Sequence, residues 1–228
     1  MGKRRIANLE PTISETPGRS QIADMIRAGF PLATVPSIPE IRLHRAGPRS
    51  GLWRFAEADK AFDNPYWAYS WGGGLALARH ILDHPETVAG RDVLDLGTGS
   101  GIAAIAAALS GASNVTAADV DRYAIIASDL NAAANGVAVS TLHADLLPGP
   151  PPAADIILVA DLFYDAVLAQ RVTAFLDRSL SAGRDILVGD PWRAHLPRER
   201  LELLAEYPGD DFGGHSSGQG TNAVFRFR

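Results

Sequence analysis

The sequence DVLDLGTGSG, residues 92–101, joins a short apolar run to a helical pattern of small residues at 102–111. Its glycines at 97, 99 and 101 allow the backbone to turn tightly and to approach a ligand closely. The helix that follows presents free N–H groups in its first turn. The stretch therefore predicts a strand, a glycine-rich binding loop and a helix in succession.

The alternation of strand and helix continues from this loop to the C-terminus. Its spacing implies right-handed crossovers, so the sequence predicts an α/β fold with a doubly wound parallel sheet. The last seven residues alternate apolar and basic side chains, which predicts a strand with one exposed face near a sheet edge. After the loop we predict strands at 114–120, 139–145, 155–161, 185–190 and 222–228, and helices at 121–135, 165–181 and 197–206.

The remaining residues divide into an N-terminal extension, 1–63, and the start of a main domain that runs over 64–228. The extension contains a short helical pattern that begins at Ser20 and a strand-like alternation at 38–46. A helical pattern at 75–84 opens the main domain. We expect one domain with an extension, because 228 residues suffice for one large core.

The composition excludes several classes of function. The chain has no cysteine, which excludes a disulfide framework, thiolate chemistry and a Cys-ligated metal. A net charge of −5 and a pI of about 5.6 give no general attraction to nucleic acid. Because the sequence also lacks a membrane-spanning run and a signal peptide, we expect a cytoplasmic protein without nucleic-acid or membrane partners.

Asp95 indicates which ligand the glycine loop binds. The glycines occur at every second residue, unlike the G-x-G-x-x-G pattern of dinucleotide-binding folds, and no lysine follows them as in a P-loop. A carboxylate two residues before Gly97 would repel a pyrophosphate, but it suits a ligand with an ammonium group. S-adenosylmethionine is such a ligand, because its amino-acid end is zwitterionic and its sulfonium is cationic.

Two further carboxylates follow the next predicted strands. Asp119 ends the second strand 22 residues after Gly97, the distance at which a carboxylate binds ribose hydroxyls. Asp121 is its rival for that role, although it is also placed to cap the next helix. Asp145 ends the third strand and is placed to accept a hydrogen bond from an adenine amino group. Each could instead be a simple strand-end or capping residue.

The chain resembles the class I S-adenosylmethionine-dependent methyltransferases in DVLDLGTGSG (92–101), AADVD (117–121), HADLL (143–147) and ADLFYD (160–165). Within this class it is most similar to the electron-transfer flavoprotein beta subunit lysine methyltransferases. That narrower similarity covers about residues 38–228 and is carried by IPEIRLH (38–44), NPYWAYSWGGGLALARHILDHPE (64–86), ADLFYD and ILVGDP (186–191). The chain departs from the family at 209–220, where glycines replace a clearer penultimate strand.

The resemblance implies a Rossmann-like, mostly parallel seven-stranded sheet with an antiparallel C-terminal strand. It also implies S-adenosyl-L-methionine as the cofactor and a lysine side chain of a protein as the methyl acceptor. Together with the strand-end reasoning, it predicts cofactor contacts at Trp71, Asp95, Gly97, Thr98, Gly99, Ser100, Gly101, Asp119, Val120, Asp145 and Asp161.

The stretch ADLFYD, 160–165, is predicted to serve the acceptor. A lysine amine with a pKa of about 10.4 is almost entirely protonated at pH 7, so the site must admit an ammonium and then lose its proton. We predict that Asp161 orients the amine and that Phe163 and Tyr164 shield it from water. Asp165 is expected to cap the next helix. The predicted catalytic residues are thus Asp161 and Tyr164, and the predicted substrate contacts are Trp67, Phe163, Tyr164 and Asp190.

The aromatic residues before the glycine run allow two interpretations. Trp67, Tyr69 and Trp71 are spaced by two, which is typical of one face of a strand with ordinary core side chains. The glycines at 72–74 favour the alternative, in which the backbone and Trp71 close over the cofactor.

No metal site is predicted. His80 and His84 stand four residues apart on a helix, but no third ligand is evident and a helix-terminal role is favoured. The predicted partner is a protein substrate, namely the electron-transfer flavoprotein beta subunit, or alternatively a ribosomal protein, and a monomer is expected. A noncatalytic assembly module on the same fold is the remaining alternative.

Overall fold

The computed structural model describes residues 17–47, 50, 55, 59, 62, 64–209 and 220–228. The N-terminal part contains helix α1 (Arg19–Gly29) and an antiparallel hairpin of β1 (Leu32–Val35) and β2 (Ile38–His44). The structure confirms the helix predicted from Ser20 and the strand predicted at 38–46, which begin or end within two residues of the predicted positions. β1 was not predicted, because four residues are too few to show a clear alternation.

A seven-stranded sheet forms the centre of the fold, in the order β5-β4-β3-β6-β7-β9-β8. Parallel pairing joins β5 through to β7, whereas β9 runs antiparallel to both of its neighbours. The predicted sheet with an antiparallel C-terminal strand is therefore confirmed. Its strands are β3 (Asp92–Leu96), β4 (Asn114–Asp119), β5 (Ser140–His143), β6 (Ile156–Ala160), β7 (Asp185–Asp190), β8 (Leu201–Pro208) and β9 (Thr221–Phe227).

Helices cover both faces of this sheet. One face packs against α2 (Gly72–Asp83) and α3 (Ile102–Leu109), while the other packs against α5 (Ala166–Ser181). The fourth helix, α4 (Arg122–Ala134), lies against α1, β2 and β5. Both faces of the central strands are buried, which explains why β3 and β6 read as continuous apolar runs. No helix within the described ranges is long and apolar enough to cross a membrane.

The helix predicted at 197–206 is wrong. Residues Arg198–Arg200 form one 3-10 turn, and Leu201–Pro208 form β8, which pairs with β9. The sequence LELLAEYP fits an amphipathic helix as well as a strand, so pairing with β9 decides the outcome. The penultimate strand thus forms ahead of the glycine-rich segment 209–220, of which residues 210–219 lie outside the described residues.

The C-terminal strand does not lie at the edge of the sheet. β9 is inserted between β7 and β8, and β8 is the edge strand. Four consecutive residues of β9, from Asn222 to Phe225, are buried. At these four residues both faces of β9 are buried, and helix α2 covers one of the two faces. The predicted exposed face is therefore not present along this part of the strand.

The N-terminal part packs over one end of the central sheet. Two apolar clusters lie on the two faces of the sheet. A third apolar cluster contains the fully buried Ile22, Ile26 and Phe30 together with Trp67 and Tyr123. The rings of Phe30 and Trp67 meet edge to face with centroids 4.8 Å apart. This cluster fixes the segment between the extension and α2 beside the carboxyl ends of the strands. The boundary predicted between 63 and 64 stays a prediction.

Candidate active site

A cleft of about 690 Å³ opens at the carboxyl ends of β3, β4 and β6. This is where ligands bind in doubly wound sheets, because the order of the strands reverses between the parallel neighbours β3 and β6. The volume is in the range of small-molecule sites. Twelve of the residues predicted to bind cofactor or substrate line it, and these are Trp67, Trp71, Asp95, Gly97, Thr98, Gly99, Ser100, Asp119, Val120, Asp145, Asp161 and Tyr164.

The glycine loop adopts the backbone geometry that its sequence predicts. Gly97, Gly99 and Gly101 have φ values of 67°, 51° and 83°, which other residues rarely adopt. A Cβ at Gly101 would also lie 2.5 Å from Oγ of Ser128, so this glycine allows α3 to approach α4. Gly101 is absent from the cleft lining, and its role is to shape the turn rather than to contact a ligand.

Asp95 is a buried carboxylate at the base of the loop. Its Oδ2 accepts hydrogen bonds from Oγ1 of Thr98 at 2.6 Å and from the backbone N–H of Ala104 at 3.2 Å. Among the described residues, no donor reaches its Oδ1. Burial raises the pKa of Asp95 to about 6. The side chain therefore presents an unpaired acceptor to the cleft at neutral pH.

Asp119 and its rival Asp121 have separate roles in the structure. Asp119 accepts from the backbone N–H of Gly99 through Oδ2 and of Asp121 through Oδ1, both at 2.9 Å, and it lies against the loop. Burial raises the pKa of Asp119. Asp121 caps α4 by accepting from the N–H of Tyr123 at 2.7 Å, as expected for a residue at this position. Asp119 thus remains the candidate for ribose hydroxyls.

Asp145 lines the far side of the cleft after β5. It accepts from the backbone N–H of Leu147 at 3.0 Å and pairs with the guanidinium of Arg171. These contacts fix the carboxylate where the chain turns away from the sheet. Its predicted hydrogen bond to an adenine amino group stays a prediction.

Aromatic side chains form the opposite end of the cleft. The ring of Tyr66 lies 5.8 Å from that of Trp71 and 6.0 Å from that of Tyr164, measured between centroids. Tyr66 is 52% exposed and Tyr164 is 54% exposed, so this aromatic group is open to solvent. Tyr66 was not predicted, although its position in the quoted segment 64–86 was a usable signal.

The segment 66–71 is not a strand. Tyr66–Ala68 form a 3-10 turn, and Trp71 precedes the first residue of α2. Its indole N–H donates to the carbonyl of Tyr66 at 2.8 Å, which fixes the ring at the cleft. Trp67 is buried in the third apolar cluster and also borders the cleft. The strand interpretation of the three aromatic residues is therefore wrong, because the turn sends their side chains in different directions.

Asp161 binds the N-terminus of α2. Its Oδ1 accepts from the N–H of Gly73 at 3.1 Å, and its Oδ2 accepts from the N–H of Gly74 at 2.6 Å. It also forms an ion pair with Arg193. Its backbone has a φ of 60°, which aspartate tolerates better than most residues do. Sequence reasoning missed this capping role, although the absence of a capping side chain before α2 was a signal for it.

Two of the predicted substrate contacts are wrong. Phe163 is fully buried in the apolar cluster under α5 and is absent from the cleft lining. Asp190 is also fully buried, and it accepts from the backbone N–H of Arg193 at 2.7 Å. Burial raises the pKa of Asp190 to about 6. Phe163 packs into the apolar cluster, and Arg193 lies between Asp190 and the cleft, so neither side chain is part of the lining.

Arg193 lines the cleft and was not predicted. Its side chain is 15% exposed and its guanidinium lies 6.0 Å from the ring of Trp71. A lone arginine three residues after Asp190 gives little signal in a sequence that is rich in arginine.

Asp165 and His80 have structural roles. Asp165 caps α5 by accepting from the N–H of Leu168 at 2.9 Å, which confirms that prediction. Nδ1 of His80 lies 3.0 Å from the hydroxyl of Tyr207. In the part of the chain that the structure describes, no three His, Cys, Asp or Glu side chains are grouped so that they could hold a metal ion.

Comparison with known proteins identifies relatives of this chain. The sequence model of the ribosomal protein L11 methyltransferase (PrmA) family matches residues 77–182. The electron transfer flavoprotein beta subunit lysine methyltransferase of Danio rerio is 38% identical over 223 residues, which cover 94% of this chain and 86% of that protein. The protein of the same name from Xenopus laevis is 43% identical over 178 residues, covering 75% of this chain and 72% of that protein.

A solved structure supports the fold alone. The crystal structure of Thermoplasma acidophilum 1320 matches with a TM-score of 0.52 at 21% identity, covering 68% of this chain and 87% of that chain.

Proposed function

Because the chain belongs to the electron transfer flavoprotein beta subunit lysine methyltransferase family, we propose that it methylates lysine side chains of an electron transfer flavoprotein beta subunit. It is an S-adenosylmethionine-dependent protein lysine methyltransferase, and hence an enzyme rather than a noncatalytic module. The observation that carries the proposal is the extent of the similarity, which covers 94% of the chain. The match to the ribosomal protein L11 methyltransferase family begins at residue 77, after Tyr66 and Trp71 of the aromatic end.

The cleft fits S-adenosylmethionine. The unpaired Oδ1 of Asp95 suits an ammonium group, and Asp119 lies beside the loop, where the N–H groups of Gly99 and Asp121 orient its two oxygens. Gly99 leaves room above the loop, because the nearest atom to an added Cβ would be 3.8 Å away. When bound, the cofactor supplies an electrophilic methyl group on a sulfonium sulfur, which an amine lone pair attacks in line.

The protein's own contribution is to position the amine and to exclude water from it. We propose that the lysine enters between Tyr66, Trp71 and Tyr164, because aromatic faces attract an ammonium. Burial raises the pKa of Tyr164, and Tyr66 and Asp119 raise it further, so its hydroxyl stays protonated. Asp161 lies behind this aromatic group and lines the same cleft.

A methylation assay tests the substrate. The protein is incubated with labelled cofactor and either an electron transfer flavoprotein beta subunit or ribosomal protein L11, and the labelled residues are mapped by mass spectrometry. We expect label on lysines of the beta subunit and none on L11. Label on L11, or on a residue other than lysine, would contradict the proposal. The monomeric state and the cytoplasmic location remain proposals, which sedimentation and fractionation would check.

Cofactor affinity should depend on pH through Asp95. An ammonium group binds the ionised carboxylate, and the pKa of Asp95 is raised to about 6, so affinity should fall below pH 6 by up to about tenfold per pH unit. A raised carboxyl pKa means that protonation favours the folded state, so this loss would not reflect unfolding at Asp95. Calorimetry with S-adenosylmethionine between pH 5 and 7.5 measures the effect. The Asp95→Asn variant should bind weakly at every pH, and an unchanged slope in that variant would refute the assignment.

A further inference from the structure

Arg193 is held in one position at the aromatic end of the cleft. The residue before it, Trp192, has a φ of 65°, and the backbone N–H of Arg193 donates to Asp190 at 2.7 Å. The guanidinium forms an ion pair with Asp161 and lies 3.4 Å from the other oxygen of Asp190. Because Asp190 is fully buried behind it, Arg193 presents its cation toward Asp161 and the cleft.

This arrangement occupies the carboxylate of Asp161 with at least three donors. The N–H groups of Gly73 and Gly74 and the guanidinium of Arg193 all bind its two oxygens. The positive end of the α2 dipole adds to the same stabilisation. The carboxylate that we expect the acceptor amine to meet is therefore largely compensated before any substrate arrives.

The other groups at this end of the cleft do not take over the role of the Asp161–Arg193 ion pair. Tyr66 and Tyr164 are phenols, and Trp71 carries no charge. Asp190 faces Arg193 from β7, and its raised pKa of about 6 has burial as the main cause. Asp119, across the cleft at the end of β4, is engaged by the loop. Asp119 and Asp165 also act on the Tyr164 hydroxyl by their charge, while Arg193 and Asp161 form the ion pair that lines the cleft at this end.

Whether the carboxylate of Asp161 is already paired affects the protonation of the acceptor amine. Only a neutral amine has the lone pair that attacks the methyl group, and an unpaired carboxylate beside it would stabilise the ammonium instead. A carboxylate that is already paired with a guanidinium stabilises the ammonium much less. The proton can then leave to solvent through the open aromatic end.

We propose that Arg193 is a positioning residue that occupies Asp161 and so keeps the bound lysine amine in its neutral, nucleophilic form. The inference rests on the proposed lysine substrate. It assigns a function to a cation that would otherwise only repel a cationic substrate.

The pH profile of the Arg193→Met variant tests this inference on the beta subunit. Without the guanidinium, the amine pairs with Asp161, so we expect an unchanged or lower KM and a kcat about tenfold lower near pH 7. The acid limb of the kcat profile should move up by about one pH unit, since the amine must lose its proton against the carboxylate. Arg193→Lys keeps the charge and should restore most of the wild-type profile.

Two further variants separate this effect from a loss of structure. Arg193→Met leaves Asp190 buried without its ion pair, so the double variant Asp190→Asn/Arg193→Met removes that charge and should show the same shift. Arg198→Met makes the same substitution on a residue that contacts Trp192 outside the cleft, and it should leave the profile unchanged. A kcat that falls equally at every pH in the Arg193 variants would overturn the proposal.

Binding of n-butylamine, a lysine side-chain analogue, tests the inference without a protein substrate. Titration followed by NMR at pH 7 with S-adenosylhomocysteine present should show several-fold tighter binding to Arg193→Met than to wild type. Tighter binding together with no methylation of the beta subunit would uphold the inference and refute the substrate. Equal binding to both proteins, or binding to neither, would overturn the inference while leaving the substrate assignment to the methylation assay.

Discussion

Replacing Gly73 with alanine is expected to destabilise the folded protein by at least about 3 kcal/mol, the upper end of the usual cost of overpacking. Gly73 lies where α2 approaches β7, and an added Cβ would be 2.2 Å from the carbonyl oxygen of Gly189 and 2.9 Å from Cγ of Asp161. Both neighbours are fixed, one as strand backbone and the other as the capping side chain. The helix must therefore move away from the sheet, and it takes its N–H groups away from Asp161.

Thermal and urea unfolding of Gly73→Ala measure this loss, and cofactor titration reports whether the cleft survives. Gly149→Ala is the matched control, because its added Cβ would meet only an ordinary contact at 3.5 Å and its backbone is not left-handed. That control should unfold within about 0.5 kcal/mol of wild type, in either direction. Wild-type stability in Gly73→Ala would show that α2 does not pack on β7 as closely as described.

Asp161→Asn should reduce kcat/KM by about two to three orders of magnitude. The change removes one of the two carboxylates that pair with Arg193, so a guanidinium paired only with the buried Asp190 would then face the incoming ammonium. Losing one charge-assisted contact at a reacting centre typically costs on the order of 2–4 kcal/mol. Asparagine tolerates the left-handed backbone at this position, so the variant should fold.

The same variant should also lose stability, which distinguishes it from a purely catalytic change. An amide keeps one acceptor oxygen for the two N–H groups of Gly73 and Gly74, and a weakened cap costs about 1 kcal/mol. Asp165→Asn is the control, because Asp165 caps α5 without lining the cleft and should leave turnover near wild type. Full activity in Asp161→Asn would show that this carboxylate has no part in the reaction.

Much of the fold could be predicted because its signals are local. The apolar run before Gly97 and the glycines of the loop gave the position of β3, the turn and α3, since a buried parallel strand and a left-handed turn each restrict residue type. The capping roles of Asp121 and Asp165 were likewise visible, because a cap and its N–H partner lie within three residues. β8 was mistaken for a helix because its local pattern fits both structures, and only its partner strand excludes one of them.

Local sequence patterns were enough to predict the class of sheet, the glycine loop and the carboxylates at the strand ends, because each depends on neighbours along the chain. The burial of Phe163 and Asp190, and the binding of Asp161 to both α2 and Arg193, depend instead on how distant parts of the chain pack. Asp161 lies 88 residues from Gly73 and 32 from Arg193 in the chain. Contacts over such separations depend on how the helices and strands pack, and the residue types at either end do not specify their partners.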